Sequence, residues 1–150
     1  MSSNENSPEV TRESCADLAA AEQQLLQQRA AAALQQGVRV RDPNTLYIRG
    51  TLVCGVGVEI DANVILEGAV VLGDDVKVGA HSIVRDSTIG DQTCIHPFSL
   101  VEGARIGSGG FVGPYGRIRP GSVLGDEVQI GNFVEIKGSA IGSGSRINHH

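Results

Sequence analysis

Aliphatic residues recur every six positions between Ile48 and Ile147, with polar or small residues between them. The step shortens to five residues at three points, within 84–89, 101–106 and 136–141. A period of six fits neither an amphipathic helix nor a free strand of period two. It predicts a hexapeptide β-helix, in which each coil has three short strands and the recurrent residues fill the axis. These axial residues are Ile48, Cys54, Ile60, Leu66, Leu72, Val78, Val84, Ile89, Ile95, Val101, Ile106, Val112, Ile118, Leu124, Ile130, Ile136, Ile141 and Ile147.

A second set of smaller residues precedes each axial position by two, from Leu46 through Ser82 and Gly116 to Ser145. Glycine directly follows half of the axial positions. Each corner of a coil with three short faces needs a tight turn, and glycine reaches the required dihedral angles without a Cβ clash. The pattern therefore assigns residues 38–150 to an all-β domain, the β-helix.

The stretch before the hexads has the composition of a helix. Residues 15–37 are rich in Ala, Gln and Leu, which predicts one α-helix ahead of the β-helix. Ser14 is the expected N-cap, and Gly37 is placed to end the helix. No apolar heptad is sustained, so a coiled coil is disfavoured. We expect the helix to pack along the first coil or to extend towards a further domain, and the polar residues 1–14 to be a disordered tail.

Composition excludes several classes of function. The chain has 150 residues, a net charge of −5 and only two Tyr, three Phe and no Trp, which disfavours nucleic-acid binding. No apolar run is long enough to span a membrane, and the N-terminus lacks a secretory pattern. The three cysteines are an odd set without CxxC spacing. They predict a reduced, cytoplasmic protein.

The chain stops inside a coil, at Asn148-His149-His150, with nothing that resembles a capping unit. Repeat stacks normally end in a unit with a polar outer face, because an open coil exposes apolar side chains and strand edges. This ending predicts that the chain is a truncated piece of a longer protein, or that another segment covers its last coil.

Two stretches, 113–121 and 131–137, hold aromatics, prolines and charges where neighbouring hexads have generic polar residues. Within them, Arg119 and Lys137 each follow an axial residue, with no short step between them. They are predicted to stack at one corner of adjacent coils, roughly 5 Å apart at the backbone. Two cations so close repel unless an anion lies between them, which favours a phosphate site. The alternative is a pair of solvated charges, with Glu135 screening Lys137.

His149 falls on the next coil, and a histidine near a phosphate-binding pair suits the role of general base. A zinc site made by histidines is the competing hypothesis. The spacing disfavours zinc, because His81 and His96 lie nearly one coil apart while His149 and His150 lie about three coils further along. We therefore expect no metal in this part of the protein.

Several stretches resemble one family beyond the shared hexads, over about residues 17–149. They are LAAAEQQLLQQRAAAALQQGVRVRDPNTLYIRGTL, VEIDANVILEG, GPYGRIRPGS, IGNFVEIKGSAIGSGS and RINH, in that order. The family is the bifunctional N-acetylglucosamine-1-phosphate uridyltransferase/glucosamine-1-phosphate N-acetyltransferase of bacterial cell-wall precursor synthesis. GPYGRIRPG followed by GNFVEIK carries the resemblance, because many acyltransferases share the hexads alone.

The resemblance implies a left-handed parallel β-helix that assembles as a homotrimer. It also implies acetyl transfer from acetyl-CoA to glucosamine 1-phosphate, in the synthesis of UDP-N-acetylglucosamine. Arg119 and Lys137 become ligands of the sugar phosphate, and His149 becomes the base that deprotonates the amine.

The chain also departs from the family. It lacks the glycine-rich, lysine-bearing nucleotide loop of the uridyltransferase, and it lacks the later coils that supply the acetyl-CoA contacts. Weak or no catalysis is therefore expected of the isolated chain. The alternatives are a non-catalytic trimeric module that binds a sugar phosphate, and another hexapeptide acyltransferase.

Overall fold

The structure is a computed structural model that describes residues 12–148. Most of the tail expected to be disordered, residues 1–11, lies outside the described residues, as do His149 and His150. Within the described range, α1 (Arg12–Gln35) precedes a series of short strands. The strands are β1 (Arg39–Val40), β2 (Leu46–Cys54), β3 (Glu59–Ile60), β4 (Val64–Leu72), β5 (Lys77–Val78), β6 (Ile83–Arg85), β7 (Thr88–Ile89), β8 (Cys94–Ile95), β9 (Leu100–Glu102), β10 (Arg105–Ile106), β11 (Phe111–Val112), β12 (Arg117–Ile118), β13 (Val123–Leu124), β14 (Gln129–Ile130), β15 (Glu135–Ile136), β16 (Ala140–Ile141) and β17 (Arg146–Ile147).

The described strand pairs are parallel and form three faces of a prism. Face 1 contains β1, β3, β5, β8, β11, β14 and β17. Face 2 contains the first halves of β2 and β4, with β6, β9, β12 and β15; face 3 contains their second halves, with β7, β10, β13 and β16. β2 and β4 turn from face 2 into face 3 at Gly50 and Gly68, whose φ angles are 137° and 72°. The fold is the left-handed parallel β-helix of hexapeptide repeats, preceded by one α-helix, that the sequence predicts.

The axial residues fill the interior of the prism. Of the eighteen predicted, all are buried except Cys54, Ile141 and Ile147, which are half-buried. The second, smaller set also points inward, and the buried hydroxyls of Ser82, Ser87, Thr93 and Ser99 bond to backbone. Thr93 Oγ1, for example, donates to the Gly107 carbonyl at 2.7 Å. The six-residue period is thus the packing period of the core.

The last turns of α1 pack on the first coil. Ala30 and Ala33 are buried in the core cluster, and Arg29 Nη1 donates to the Ile48 carbonyl at 2.8 Å. The first half of α1 is mostly exposed, including Leu18. The helix therefore contacts the first coil through its C-terminal half. No helix within residues 12–148 is both long and apolar enough to cross a membrane.

The helix ends as the sequence predicts but begins earlier. Gly37 adopts φ 90°, and the Val38 N–H donates to the Ala33 carbonyl at 3.1 Å, which is the bond of a Schellman cap. At the other end, α1 already includes Arg12. Ser14, the expected N-cap, therefore lies inside the helix, because the residues before it also accept helical geometry.

Candidate functional site

The predicted phosphate ligands lie at the corner between face 2 and face 3, which we call corner 2. In the pairing of β12 with β15, Ile118 lies opposite Ile136, and Arg119 and Lys137 follow these two residues. The Arg119 N–H donates to the Ile136 carbonyl at 2.8 Å. The predicted stacking is confirmed, because the two cations hold equivalent places on adjacent coils.

Four charged residues form a square on the outer surface of face 2 at this corner. Arg117 and Arg119 lie on one coil, and Glu135 and Lys137 lie on the next; we call them the charge square. Glu135 Oε1 is 3.3 Å from Arg119 Nη1, and Glu135 Oε2 is 3.7 Å from Arg117 Nη1. Within residues 12–148, Lys137 Nζ has no ion-pair partner. Glu135 makes no ion pair with Lys137, because its carboxylate faces the two guanidinium groups of the preceding coil.

Lys137 also interrupts a pattern that runs along face 2. The residues that follow the axial position on this face, coil by coil, are Arg49, Glu67, Arg85, Glu102, Arg119 and Lys137. Signs alternate as far as Arg119, so Lys137 stands where an acid would continue the row. The charge square therefore holds three cations and one carboxylate.

Arg85 shows how a cation is paired where the signs in the row alternate. Its Nε and Nη1 each lie 3.1 Å from a carboxylate oxygen, of Glu67 on one side and Glu102 on the other. The hydrogen bond to Glu67, then the bond to Glu102, raise the pKa of Arg85. Arg119 has no such pair of carboxylates in its own row. The charge square as a whole therefore keeps an excess of positive charge that is available to an anionic ligand.

The charge square is open to solvent. The side chains of Arg117 and Glu135 are 50% exposed, and that of Arg119 is 35% exposed. Lys137 is exposed and directly precedes Gly138. Gly138 has a φ of 50° and lies within the short five-residue step between Ile136 and Ile141. An anion at this corner would therefore bind on the outer surface, within reach of side chains from two coils.

The described histidines lie elsewhere. His81 stacks on Phe98, with ring centroids 4.8 Å apart. His96 lies on face 1, where its Nδ1 is 3.6 Å from Cys94 Sγ and its ring packs edge-on against Phe111. No three His, Cys, Asp or Glu side chains of residues 12–148 come together as a metal site would require. His149, the predicted base, lies outside the described residues, so its place beside the charge square stays a prediction.

One further feature of the surface was not predicted from the sequence. His81, Phe98, Tyr115 and Phe133 stack on one another at the corner between face 1 and face 2; we call them the aromatic ladder. Successive ring centroids are 4.8, 5.2 and 5.1 Å apart. All four residues adopt left-handed backbone angles, with φ between 56° and 62°. Each stands three residues before an axial residue of face 2, so aligning the hexads by coil would have revealed the ladder.

Comparison with known proteins shows the family to which the chain belongs. Residues 48–150 match the family described as the GMPPB C-terminal domain. The chain belongs to this family. Over 107 residues it is 50% identical to the bifunctional protein GlmU of Methylibium petroleiphilum, an alignment that covers 71% of the chain and 23% of that protein. This match confirms the resemblance inferred from GPYGRIRPG and GNFVEIK. The chain spans about a quarter of the length of this relative.

Solved structures share the architecture. The acetyltransferase domain of PglB from Neisseria gonorrhoeae FA1090 superposes with a TM-score of 0.69 at 20% identity, covering 85% of this chain and 63% of that one. The same domain in complex with acetyl coenzyme A gives the same TM-score. At this identity the likeness shows a common fold.

Proposed function

We propose that the chain is part of an N-acetyltransferase that moves the acetyl group of acetyl-CoA to the amine of glucosamine 1-phosphate. The reaction is a step in the synthesis of UDP-N-acetylglucosamine. The observation that carries the proposal is the charge square, because an excess of cations stands within the two most specific motifs of the family. Identity of 50% to the bifunctional protein GlmU supports the assignment, and acetyl coenzyme A is bound in a structure of the same fold.

In this proposal Arg119 and Lys137 bind the phosphate of the sugar. A guanidinium offers paired donors to phosphate oxygens, and an ammonium acts as a compact point charge. His149 takes the proton from the sugar ammonium, and the free amine attacks the thioester carbonyl. The tetrahedral intermediate then expels the thiolate of coenzyme A, which gains a proton as the amide forms. We expect weak turnover or none from these 150 residues, since the chain spans about a quarter of the length of the bifunctional protein GlmU.

We further propose that the protein works in the cytoplasm as a homotrimer. The exposed aromatic ladder supports self-association, since Phe98 and Tyr115 are 48% exposed and Phe133 is 61% exposed. Beside the ladder, Ile83 and Leu100 point outward from face 2 and are half-buried. Sedimentation equilibrium measures the assembly: a trimer of the 15.7 kDa chain is expected, and a monomer at all concentrations would contradict it. The three described cysteines are free thiols, in keeping with the proposed compartment.

A non-catalytic module that binds a sugar phosphate is the second candidate. The open position of the charge square favours it, because no described segment covers the corner and excludes water from a reacting amine. Another hexapeptide acyltransferase is less well supported, since the chain is 50% identical to the bifunctional protein GlmU over 107 residues.

Calorimetric titration with glucosamine 1-phosphate tests the binding step. Arg119→Ala and Lys137→Ala should each weaken binding about tenfold or more, as expected for a charge-assisted contact to phosphate. Arg105→Ala is the matched control, because Arg105 is exposed on face 3. Failure of the folded wild-type chain to bind the sugar phosphate would refute the proposal.

Release of free thiol from acetyl-CoA tests the chemical step. Turnover that depends on glucosamine 1-phosphate and is abolished by His149→Ala would establish the acetyltransferase. Binding without turnover, in the trimer as in the monomer, would show that these 150 residues bind the sugar phosphate without catalysing its acetylation by themselves.

A further inference from the structure

Glu135 is the one carboxylate of the charge square, and it contacts two of the three cations. Arg117 lies directly opposite it on the neighbouring strand, and Arg119 lies on the diagonal. Each carboxylate oxygen faces one guanidinium, at 3.7 and 3.3 Å. Arg119 thereby shares one carboxylate with Arg117, while Lys137, its partner in the proposed phosphate site, has no ion pair within residues 12–148.

This arrangement adds little to stability. Glu135 and its two partners are between 35% and 50% exposed, and solvent strongly weakens ion pairs that are so exposed. Arg85 holds the same place two coils earlier and is neutralised by carboxylates of its own row. Arg119 instead pairs with Glu135, which lies in the neighbouring row. In the row of Arg119 itself, Lys137 stands where the alternation of signs would place an acid.

The charge balance indicates what ligand fits. Arg117, Arg119 and Lys137 carry three positive charges, and Glu135 carries one negative charge. A phosphate monoester carries about −1.5 to −2 charges at neutral pH, which balances the excess of two. A phosphodiester or a carboxylate has one charge and leaves one cation unbalanced. Without Glu135, the three cations would exceed the charge of a bound phosphate monoester by about one.

We propose that Glu135 is a built-in competitor for the phosphate, which holds Arg119 in the free protein and yields it to a bound sugar phosphate. This inference rests on the proposed function. Lys137, which has no ion-pair partner within residues 12–148, attracts the phosphate first. Arg119 then exchanges the carboxylate for phosphate oxygens, and Glu135 keeps Arg117. Glu135 is thus a positioning residue that sets the affinity and keeps the product phosphate exchangeable.

The test is titration of the full chain with inorganic phosphate and with glucosamine 1-phosphate, at fixed low salt. Glu135→Gln keeps the shape of the side chain and removes its charge. The variant should bind both ligands about threefold to tenfold more tightly, because one competing ion pair is lost and one repulsive charge is removed. Arg117→Ala should weaken binding, since Glu135 then has Arg119 alone, and adding Glu135→Gln should restore it.

Glu127→Gln is the matched control. It makes the same change of net charge at an exposed residue on the corner between face 3 and face 1. Its affinity should equal that of the wild type. Unchanged or weaker binding by Glu135→Gln would overturn the competition while Arg119→Ala still tests the phosphate site. Absence of binding by both the wild type and Glu135→Gln would overturn the proposed function as well.

Discussion

The rings of Phe98 and Tyr115 stack with centroids 5.2 Å apart and planes 10° apart. Tyr115 makes a second stacked contact, with Phe133, at 5.1 Å and 8°. Each ring belongs to a different coil, so the contacts join coils at a corner where the strands are interrupted. The aromatic ladder is therefore a side-chain counterpart of the backbone hydrogen bonds that join the same coils.

Replacing Tyr115 with Ala should destabilise the fold by about 1–3 kcal/mol, because two aromatic contacts worth roughly 0.5–1.5 kcal/mol each are lost. Phe133→Ala should cost about half as much, since within residues 12–148 Phe133 has one stacked neighbour. Urea unfolding measures both changes. Equal costs for the two variants would contradict a role for stacking.

The backbone at Tyr115 allows a second comparison. Its φ is 56°, a left-handed conformation that costs a residue with a Cβ roughly 1–2 kcal/mol relative to Gly. Tyr115→Gly should therefore unfold at a higher urea concentration than Tyr115→Ala, although both lack the ring. If alanine proved the more stable, the left-handed conformation would not be a significant cost at this corner.

The glycines that follow the axial residues of face 3 pack against the next coil. A Cβ on Gly107 would lie 2.6 Å from the Gly125 carbonyl oxygen, whereas a Cβ on Gly142 would have only Ser145 Oγ near it, at 4.0 Å. Gly107→Ala should cost about 1–3 kcal/mol, as overpacking does. Gly142→Ala is the matched control and should be nearly neutral. Thermal unfolding of the two variants checks the difference, and equal melting temperatures would contradict the close packing.

The sequence predicts the fold well because one physical requirement repeats in every coil. A narrow prism has room for one large aliphatic side chain per face, and residues such as Ile60, Val101 and Ile130 meet it throughout. The helix start is less well predicted. Ser14 has the chemistry of a cap, but Arg12 and Glu13 also favour the helix, so composition alone does not fix the boundary.

The candidate site was predicted in part. Spacing is enough to stack Arg119 on Lys137, since the register follows from counting residues. The pairing of Glu135 does not follow from counting, because the register brings it near cations of two coils without saying which of them its carboxylate contacts. Side-chain conformations decide that contact, and a one-dimensional pattern gives the register of the coils but not the rotamers.

Ser122 carries a buried hydroxyl whose Oγ has no hydrogen-bond partner among the described residues. Leaving a buried polar group unpaired costs about 1–3 kcal/mol. Ser122→Ala should therefore stabilise the protein by about 1 kcal/mol. Chemical denaturation gives the free energy of unfolding, and a loss of stability would mean that the hydroxyl has a partner in solution.

Ser87→Ala is the matched comparison, at the equivalent inward place of another coil. Ser87 Oγ donates to the Arg85 carbonyl at 2.7 Å and accepts from the Ala104 N–H at 3.1 Å. Its removal leaves a buried N–H unpaired and should destabilise the protein by about 1–3 kcal/mol. Opposite signs for the two serines are the expected outcome.

Cys54 should make the stability depend on alkaline pH. It is a half-buried axial residue, and burial raises the pKa of its thiol from 9.0 to about 11. Between these values the unfolded chain loses the thiol proton while the folded protein retains it, so rising pH favours unfolding. The contribution of Cys54 is fully present below pH 9 and is lost as pH rises to about 11.

Cys54→Val keeps an apolar axial residue and removes the titration, so its free energy of unfolding should fall less over this range than that of the wild type. Cys15→Ser, at an exposed helical site, should leave the decline unchanged. Parallel decline of the wild type and Cys54→Val would show that the thiol ionises equally in both states.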